Sequence, residues 1–367
     1  MELKAQKKEL TAILGKVIGV LNPKPTLPKL SYVLMDAARE MLTVTGTDLE
    51  ISIRIVRPLN STKEGKVFVP GRKLLDILRE FPEAEIKLET EKETLLRLSQ
   101  GRINLSLVGL KAEEFPQLAK IKNPSQFKVG SEMLKRALAS TKPIVVVDEN
   151  RPHLSGVLLT TEDGWLTAVA TDTRRLARFK TKTNLASNIK FILPTKAAEI
   201  IRSVWEEETE LDVNLGTNQA IFSGRDITLT TQIIDGNFPN YASIIPAEAD
   251  LRPATVPVEG FLAALRRLRQ LVSAGKNMVR LDVQPKIMRL SGEAAGVGEG
   301  SEDLEIDYQG EPITAYFNPD YLMDGLRPLE KETDFFLGLN PNVEKPSLLR
   351  PTKSGDYLYL IMPMRPV

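Results

Sequence analysis

Apolar residues recur at three- and four-residue spacing in three distant stretches, Lys8–Leu21, Ser131–Ser140 and Val258–Val272. In the first, Leu10, Ile13, Leu14, Val17 and Ile18 fall on one stripe of a helix. Counted from Leu10, Leu134 and Phe261, the stretches lie 124 and 127 residues apart. A second set opens on a proline and continues as an amphipathic helix: Pro70–Arg79, Pro194–Arg202 and Pro319–Arg327. Those prolines are 124 and 125 residues apart. Proline suits a first helical turn, where its missing N–H would have no partner anyway, so the pattern predicts helices that begin on Pro70, Pro194 and Pro319.

A third set alternates. Ser99-Gln100-Gly101-Arg102 leads into Ile103–Leu107, Ser223-Gly224-Arg225-Asp226 into Ile227–Thr230, and Ser354-Gly355-Asp356 into Tyr357–Ile361. Polar turns followed by period-two strands read as hairpins. The first two lead to Phe115-Pro116 and Phe238-Pro239, 123 apart, and Thr47-Asp48 is matched by Thr171-Asp172, 124 apart. Several independent series at one period predict three copies of a single α+β domain, each with two helices on one face of an antiparallel sheet. The expected domains are residues 1–120, 126–245 and 250–367, with linkers near Gln117–Phe127 and Ser243–Val256, where prolines and polar residues collect.

Composition then narrows the chemistry. With 367 residues and 42% hydrophobic content, each copy can bury a core. There is no cysteine, which removes disulfides, thiolate nucleophiles and cysteine-ligated metals. Most hydrolytic triads and most zinc sites need histidine as base or ligand, and the single histidine here, His153, follows Pro152 and reads as a loop or surface residue. The glycine cluster Gly296-Val297-Gly298-Glu299-Gly300 lacks the spacing of a phosphate-binding loop and reads as a flexible hairpin. No enzyme active site, cofactor or metal is therefore expected. No apolar run of about 18 residues suggests a membrane span, and Met1–Lys8 has no signal-peptide character, so a soluble cytoplasmic protein is expected.

Net charge is only +1, so its distribution carries the information. Cations gather on the expected helices: Lys7, Lys8 and Lys16; Arg72, Lys73 and Arg79; Lys135 and Arg136; Lys196 and Arg202; and Arg266, Arg267 and Arg269 around Leu265–Ser273. Acids run elsewhere, at Glu83–Glu85, Glu91–Glu93, Glu206–Glu208 and Glu299–Asp303. Two readings fit: ordinary solvated helix faces, or helices that face a polyanion through phosphate contacts without reading bases. Aromatics are 6% and not interleaved with the cations, which favours duplex over single strands in the second reading.

Over its whole length the chain resembles the bacterial DNA polymerase III beta subunit family, the sliding clamps. The matching segments are Pro25-Thr26-Leu27-Pro28, Gly46-Thr47-Asp48-Leu49-Glu50-Ile51, Leu154-Ser155-Gly156-Val157-Leu158, Ala170-Thr171-Asp172, Arg175-Leu176-Ala177, Phe238-Pro239-Asn240-Tyr241 and Met362-Pro363-Met364-Arg365. The resemblance implies a head-to-tail homodimer whose six domains close a ring around double-stranded DNA. It implies no catalysis; processivity comes from topological tethering of the polymerase III alpha subunit, other polymerases, a clamp loader and repair proteins.

These partners would insert short hydrophobic motifs into a groove between the second and third domains. Carried over by residue, that groove comprises Leu154, Thr171, Thr173, Arg175, Leu176, Pro239, Ile244, Tyr321, Leu360, Met362, Pro363, Met364 and Arg365. These residue types suit peptide binding. They supply an apolar slot with adaptable methionines, and Arg175 and Arg365 to bond a motif's carbonyls or acids. The same apolar residues would also serve as plain core. Lys24 matches a position where the family has a DNA-touching cation; Arg72, Arg151 and Lys196 are further candidates, and ordinary surface charge is the competing account.

Two departures stand out. The family usually has Gly-His after Thr-Asp, whereas here Thr173-Arg174 follow, which is expected to alter the groove and to favour acidic motifs through Arg174. Pro366-Val367 extend past the shared terminal motif and are expected to alter one wall. A clamp paralogue with altered partner specificity is the alternative reading.

Overall fold

The computed structural model of the chain describes residues 1–118, 121, 124–183 and 188–365. The tail Pro366-Val367 and part of the first expected linker, residues 119, 120, 122 and 123, lie outside the described residues. Among the described residues six α-helices form: α1 (Lys7–Ile18), α2 (Gly71–Glu80), α3 (Ser131–Thr141), α4 (Thr195–Val204), α5 (Val258–Val272) and α6 (Pro319–Leu326). On α1 the buried residues are Leu10, Ile13, Leu14, Val17 and Ile18, the stripe expected from the spacing. Each such side chain contributes about 1.5–3 kcal/mol by leaving water.

The helix boundaries differ from the sequence reading in instructive places. Pro70 and Pro194 are not the first helical residues; each is the last residue of a strand, Gly65–Pro70 and Lys190–Pro194, and the helix begins one residue later. Both prolines pair as strand residues, Pro70 with Tyr32 and Pro194 with Gly156, each at the end of an edge strand, where no ladder N–H is needed. Only Pro319 sits in a first helical turn, behind an Asn318 cap that accepts from the Asp320 N–H. The α1 stripe continues to Leu21, but the helix stops at Ile18: Val20 and Leu21 donate to Val17 and Ile18, three residues back, in a tightening turn. The basic run at Leu265–Ser273 is no separate helix but the second half of α5.

The described chain falls into two compact units, Met1–Glu132 with Glu199–Ile233, and Met133–Ala198 with Ile234 onward. In the first unit a five-stranded sheet runs Asn60–Lys63, Glu2–Gln6, Glu85–Glu91, Leu95–Gln100, Ile103–Val108. Its eight-stranded sheet runs Ser125–Gly130, Glu210–Leu215, Gln219–Gly224, Ile227–Gln232, Ile51–Pro58, Met41–Thr47, Tyr32–Ala38, Gly65–Pro70. In the second unit an eight-stranded sheet runs Lys190–Pro194, Gly156–Glu162, Trp165–Thr171, Arg175–Lys182, Tyr357–Ile361, Ser347–Pro351, Asp334–Leu339, Arg252–Pro257. A four-stranded sheet, Gly298–Glu305, Ile287–Ala294, Val279–Gln284, Ile313–Phe317, completes it.

The two eight-stranded sheets are built the same way. In each, the last strand of one repeat pairs antiparallel with the fourth strand of the repeat before it. Thr230 stands opposite Ser52, and Leu360 opposite Leu176. The middle repeat thus lends strands to both sheets. The expected linkers are shorter than the sequence suggested, because Ser125–Gly130 and Arg252–Pro257 are already strands of these sheets. The glycine cluster forms a hairpin turn with Gly296 at φ 76°, and Gly298 and Gly300 belong to the following strand.

Candidate functional site

A Thr-Asp turn appears twice with the same hydrogen bonds. The Thr171 hydroxyl donates to the Arg175 carbonyl (2.7 Å) and accepts from the Thr173 N–H (3.1 Å), while Asp172 Oδ1 accepts from the Arg174 and Arg175 N–H groups (2.9 and 3.0 Å). In the first unit Thr47, Asp48, Leu49, Glu50 and Ile51 repeat this pattern at 2.8–3.0 Å. The third residue of each turn has positive φ, 81° at Leu49 and 77° at Thr173. A β-branched residue there is strained by about 1–2 kcal/mol, which is why glycine would suit the position better.

After each turn the neighbouring strand adds one more ladder bond. Met362 N–H donates to the Arg174 carbonyl, and Gln232 N–H to the Glu50 carbonyl, both at 2.8 Å. The backbone is the same at both junctions; the side chains are not. Leu176, Leu360 and Met362 in the second unit stand where the first has Ser52, Thr230 and Gln232. These apolar side chains therefore have no apolar counterparts at the first junction.

Leu154, Leu176 and Leu360 are 4%, 1% and 2% exposed and belong to one cluster with Leu158, Val169, Leu348, Leu358 and Phe238. Tyr241, Ile245 and Phe336 pack on it half-buried. This makes a floor. Met362, Pro363, Met364 and Tyr321 are half-buried, while Thr173, Pro239 and Ile244 are exposed. Ile244, expected in the groove, is exposed, and its neighbour Ile245 is the one packed on the cluster. Leu348, Leu358 and Tyr241 join the cluster without having been expected; strand alternation with Leu360, and the Phe-Pro-Asn-Tyr segment, hold the signal for the last two.

Arg175 is the buried ion centre of the region. Its Nε meets Asp172 at 2.8 Å, its Nη1 meets Asp324 at 2.7 Å, and its guanidinium lies 4.1 Å over the Tyr321 ring. Burial alone would lower its pKa, but the fields of Tyr359, Asp324 and Asp172 raise it above the usual arginine value. The Tyr359 hydroxyl donates to the Tyr321 carbonyl (2.7 Å), and Tyr357 to the Gly325 carbonyl (3.1 Å), so α6 is tied to Tyr357–Ile361. Gly325 permits this: a Cβ there would stand 2.6 Å from the Tyr359 ring. Burial raises both phenols' pKa values and keeps them neutral.

The expectation that Arg175 bonds an incoming motif thus meets a guanidinium already committed to two carboxylates and a ring. Arg365 differs: it is exposed and joined to the equally exposed Glu344 (2.7 Å), a pair worth at most about 1 kcal/mol and easily exchanged. Arg174 is exposed and has no ion pair among the described residues.

The four DNA candidates divide between the units. Lys24 and Arg72, in the first, are exposed and without ion pairs among the described residues. In the second, Arg151 holds Asp148 through Nε and Nη2, both at 2.8 Å, and that bond keeps the Asp148 carboxyl below the usual carboxylate range. Lys196 is half-buried at the start of α4.

Several other helix cations have internal roles. Lys7 donates to the Arg79 and Phe81 carbonyls (2.8 and 2.6 Å), closing the C-terminus of α2. Arg267 and Arg269 pair with Glu302 and Asp320 at 2.5 Å, and Arg266 reaches Glu330 at 3.9 Å. Folding brings acids to the second half of α5, whose own acid, Glu259, lies in the first turn, so sign is less segregated than linear order suggested. Lys8, Arg72, Lys73 and Arg202 have no ion pair among the described residues.

Comparison with known proteins bears on the whole chain. Relatives called beta sliding clamp, from Staphylococcus aureus and Chlamydia pneumoniae, are each 27% identical, with 100% of this chain and 99% of theirs covered. A Bacillus subtilis DNA polymerase sliding clamp superposes with TM-score 0.94 at 25% identity, and a griselimycin-bound Pseudomonas aeruginosa clamp with TM-score 0.94 at 27%; both cover 100% of each chain. The models for the N-terminal, central and C-terminal domains of the DNA polymerase III beta subunit match residues 1–119, 128–240 and 242–365. With three clamp domains matched in order along nearly its full length, the chain belongs to the DNA polymerase III beta subunit family.

Proposed function

We propose that the chain is a DNA sliding clamp: a cytoplasmic, non-catalytic homodimeric ring that encloses duplex DNA and tethers replicative polymerase, clamp loader and repair proteins. The observation that carries this reading is the repeated sheet junction. Two such junctions lie within the chain, and each consumes a last strand and a fourth strand. That leaves Ile103–Val108, the last strand of the first repeat, and Gly298–Glu305, the fourth strand of the third, as sheet edges. An unpaired edge is a template for another strand. Leu105 and Val108 on the first are 44% and 70% exposed, and the second carries Glu299, Glu302, Asp303 and Glu305. Pairing the first edge of one chain with the second edge of another is head-to-tail, and two such pairings close a dimer.

The domain division at 1–120, 126–245 and 250–367 goes with this proposal. So does partner docking on the Leu154–Leu176–Leu360 floor, with Thr171, Thr173, Pro239, Ile244, Tyr321, Met362, Pro363, Met364 and Arg365 around it and Arg175 beneath as support. DNA would be held by delocalised contacts from Lys24, Arg72, Arg151 and Lys196, weak enough to slide. The strained Thr173 and the free Arg174 support a second reading, a paralogue with shifted partner preference. The direct test of the dimer is sedimentation equilibrium: a mass of two chains at micromolar concentration fits the proposal, and a concentration-independent monomer rejects it.

A further inference from the structure

Among the cations of the second unit, Arg178 lies in the middle of a cross-strand row: Leu158 is opposite Val169, Val169 opposite Arg178, and Arg178 opposite Leu358. The other three belong to the apolar cluster under the proposed groove. Its own row is therefore the floor's row, two residues along the strand from Leu176. Side chains two apart on a strand share a face at about 6.8 Å.

Arg178 is half-buried, and its Nε is buried without a hydrogen-bond partner. It has no carboxylate partner among the described residues, and burial lowers its pKa; only the phenol of Tyr241 acts against this. Its neighbours differ in having carboxylate partners. Arg175 has Asp172 and Asp324. Arg350, on the next strand but one, also has a buried Nε without a partner, but its Nη2 reaches Glu248 at 3.1 Å and its guanidinium lies 4.1 Å over the Phe336 ring. A buried donor with no acceptor costs free energy that an incoming acceptor recovers.

Resting on the groove reading, we infer that Arg178 is a specificity-determining residue that takes a carboxylate of the partner peptide, set within a few residues of the apolar anchors seated on Leu176 and Leu360. Arg174, flanking the groove and exposed, contributes only screened, long-range attraction. The acid preference expected of Arg174 from sequence belongs to Arg178.

The test is calorimetric titration of the full-length protein with ten-residue peptides carrying a fixed Leu-Phe pair. Asp or Asn is placed in turn at each of the three positions before the pair and the three after it. At one register the Asp peptide binds on the order of fivefold tighter than its Asn twin, the gain typical of a partly desolvated ion pair. In Arg178→Leu, and in the more conservative Arg178→Gln, the two peptides bind alike, while Arg174→Gln keeps the preference. Equal binding of the twins to the unaltered protein at every register overturns the inference and leaves the groove standing. Loss of the preference in Arg174→Gln with its retention in both Arg178 variants also overturns it. Failure of every peptide to bind the unaltered protein removes the groove reading, and this inference with it.

Discussion

If Arg175 supports the groove rather than contacting its ligand, its energy should be coupled to Asp324. The guanidinium side chain is 7% exposed, as is Asp172, and Asp324 is 24% exposed. Arg175→Met keeps most of the volume but leaves two carboxylates facing a lost cation, and breaking a buried pair from one side costs about 3 kcal/mol. Asp324→Asn leaves Arg175 with Asp172 and costs about 1 kcal/mol, a charged hydrogen bond weakened to a neutral one. The double variant should cost less than the two together by about 1–2 kcal/mol, because the partner each single change strands is gone. Urea unfolding followed by Trp165 fluorescence reads the second unit alone once Trp205, in the first, is replaced by Phe. Additivity within about 0.5 kcal/mol would show that the pair is not coupled and would refute the support role.

Thr173→Gly relieves the positive φ of 77° and should leave stability unchanged or raise it by about 1 kcal/mol, the strain relieved less glycine's entropy, measured by thermal melting; a clear loss would mean the turn is not strained. Leu176→Ala, at a residue 1% exposed, should cost about 2–4 kcal/mol in the same urea assay and weaken peptide binding as the floor opens. Lys24→Gln with Arg72→Gln should lower the salt dependence of DNA retention by a slope of about 2 without changing dimer mass, since each phosphate contact contributes a slope near one.

The repeat was readable because its signals are local. Helical stripes, hairpin turns and Thr-Asp turns sit at fixed spacing whatever the tertiary structure. Even the bond from Met362 to Arg174 has its twin at Gln232 and Glu50, set by the same turn. What linear order hides is pairing at long range. Arg175 reads as an exposed cation beside Arg174 until Asp324, 149 residues away, comes within 2.7 Å. The α5 arginines read as a bare basic face until a strand and α6 bring Glu302 and Asp320. Pro70 and Pro194 misled because proline serves a helix start and a strand end equally well. Arg178 went unremarked because nothing in its sequence neighbourhood tells a solvated arginine from one whose Nε is buried without an acceptor.

The central claim is that two chains close through the edges left free by the repeat. Carrying the register of Ile227–Gln232 on Ile51–Pro58 over to the third junction sets Asn104 of one chain opposite Ser301 of the other, where cross-strand Cβ atoms lie about 5 Å apart. The chain has no cysteine, so Asn104→Cys with Ser301→Cys introduces the only thiols. After loading onto circular duplex DNA by a clamp loader, oxidation should join the chains into covalent dimers that stay on the circle through high salt and leave when the DNA is linearised. Failure to cross-link in a dimeric protein, or equal retention on circular and linear DNA, would contradict closure through these edges.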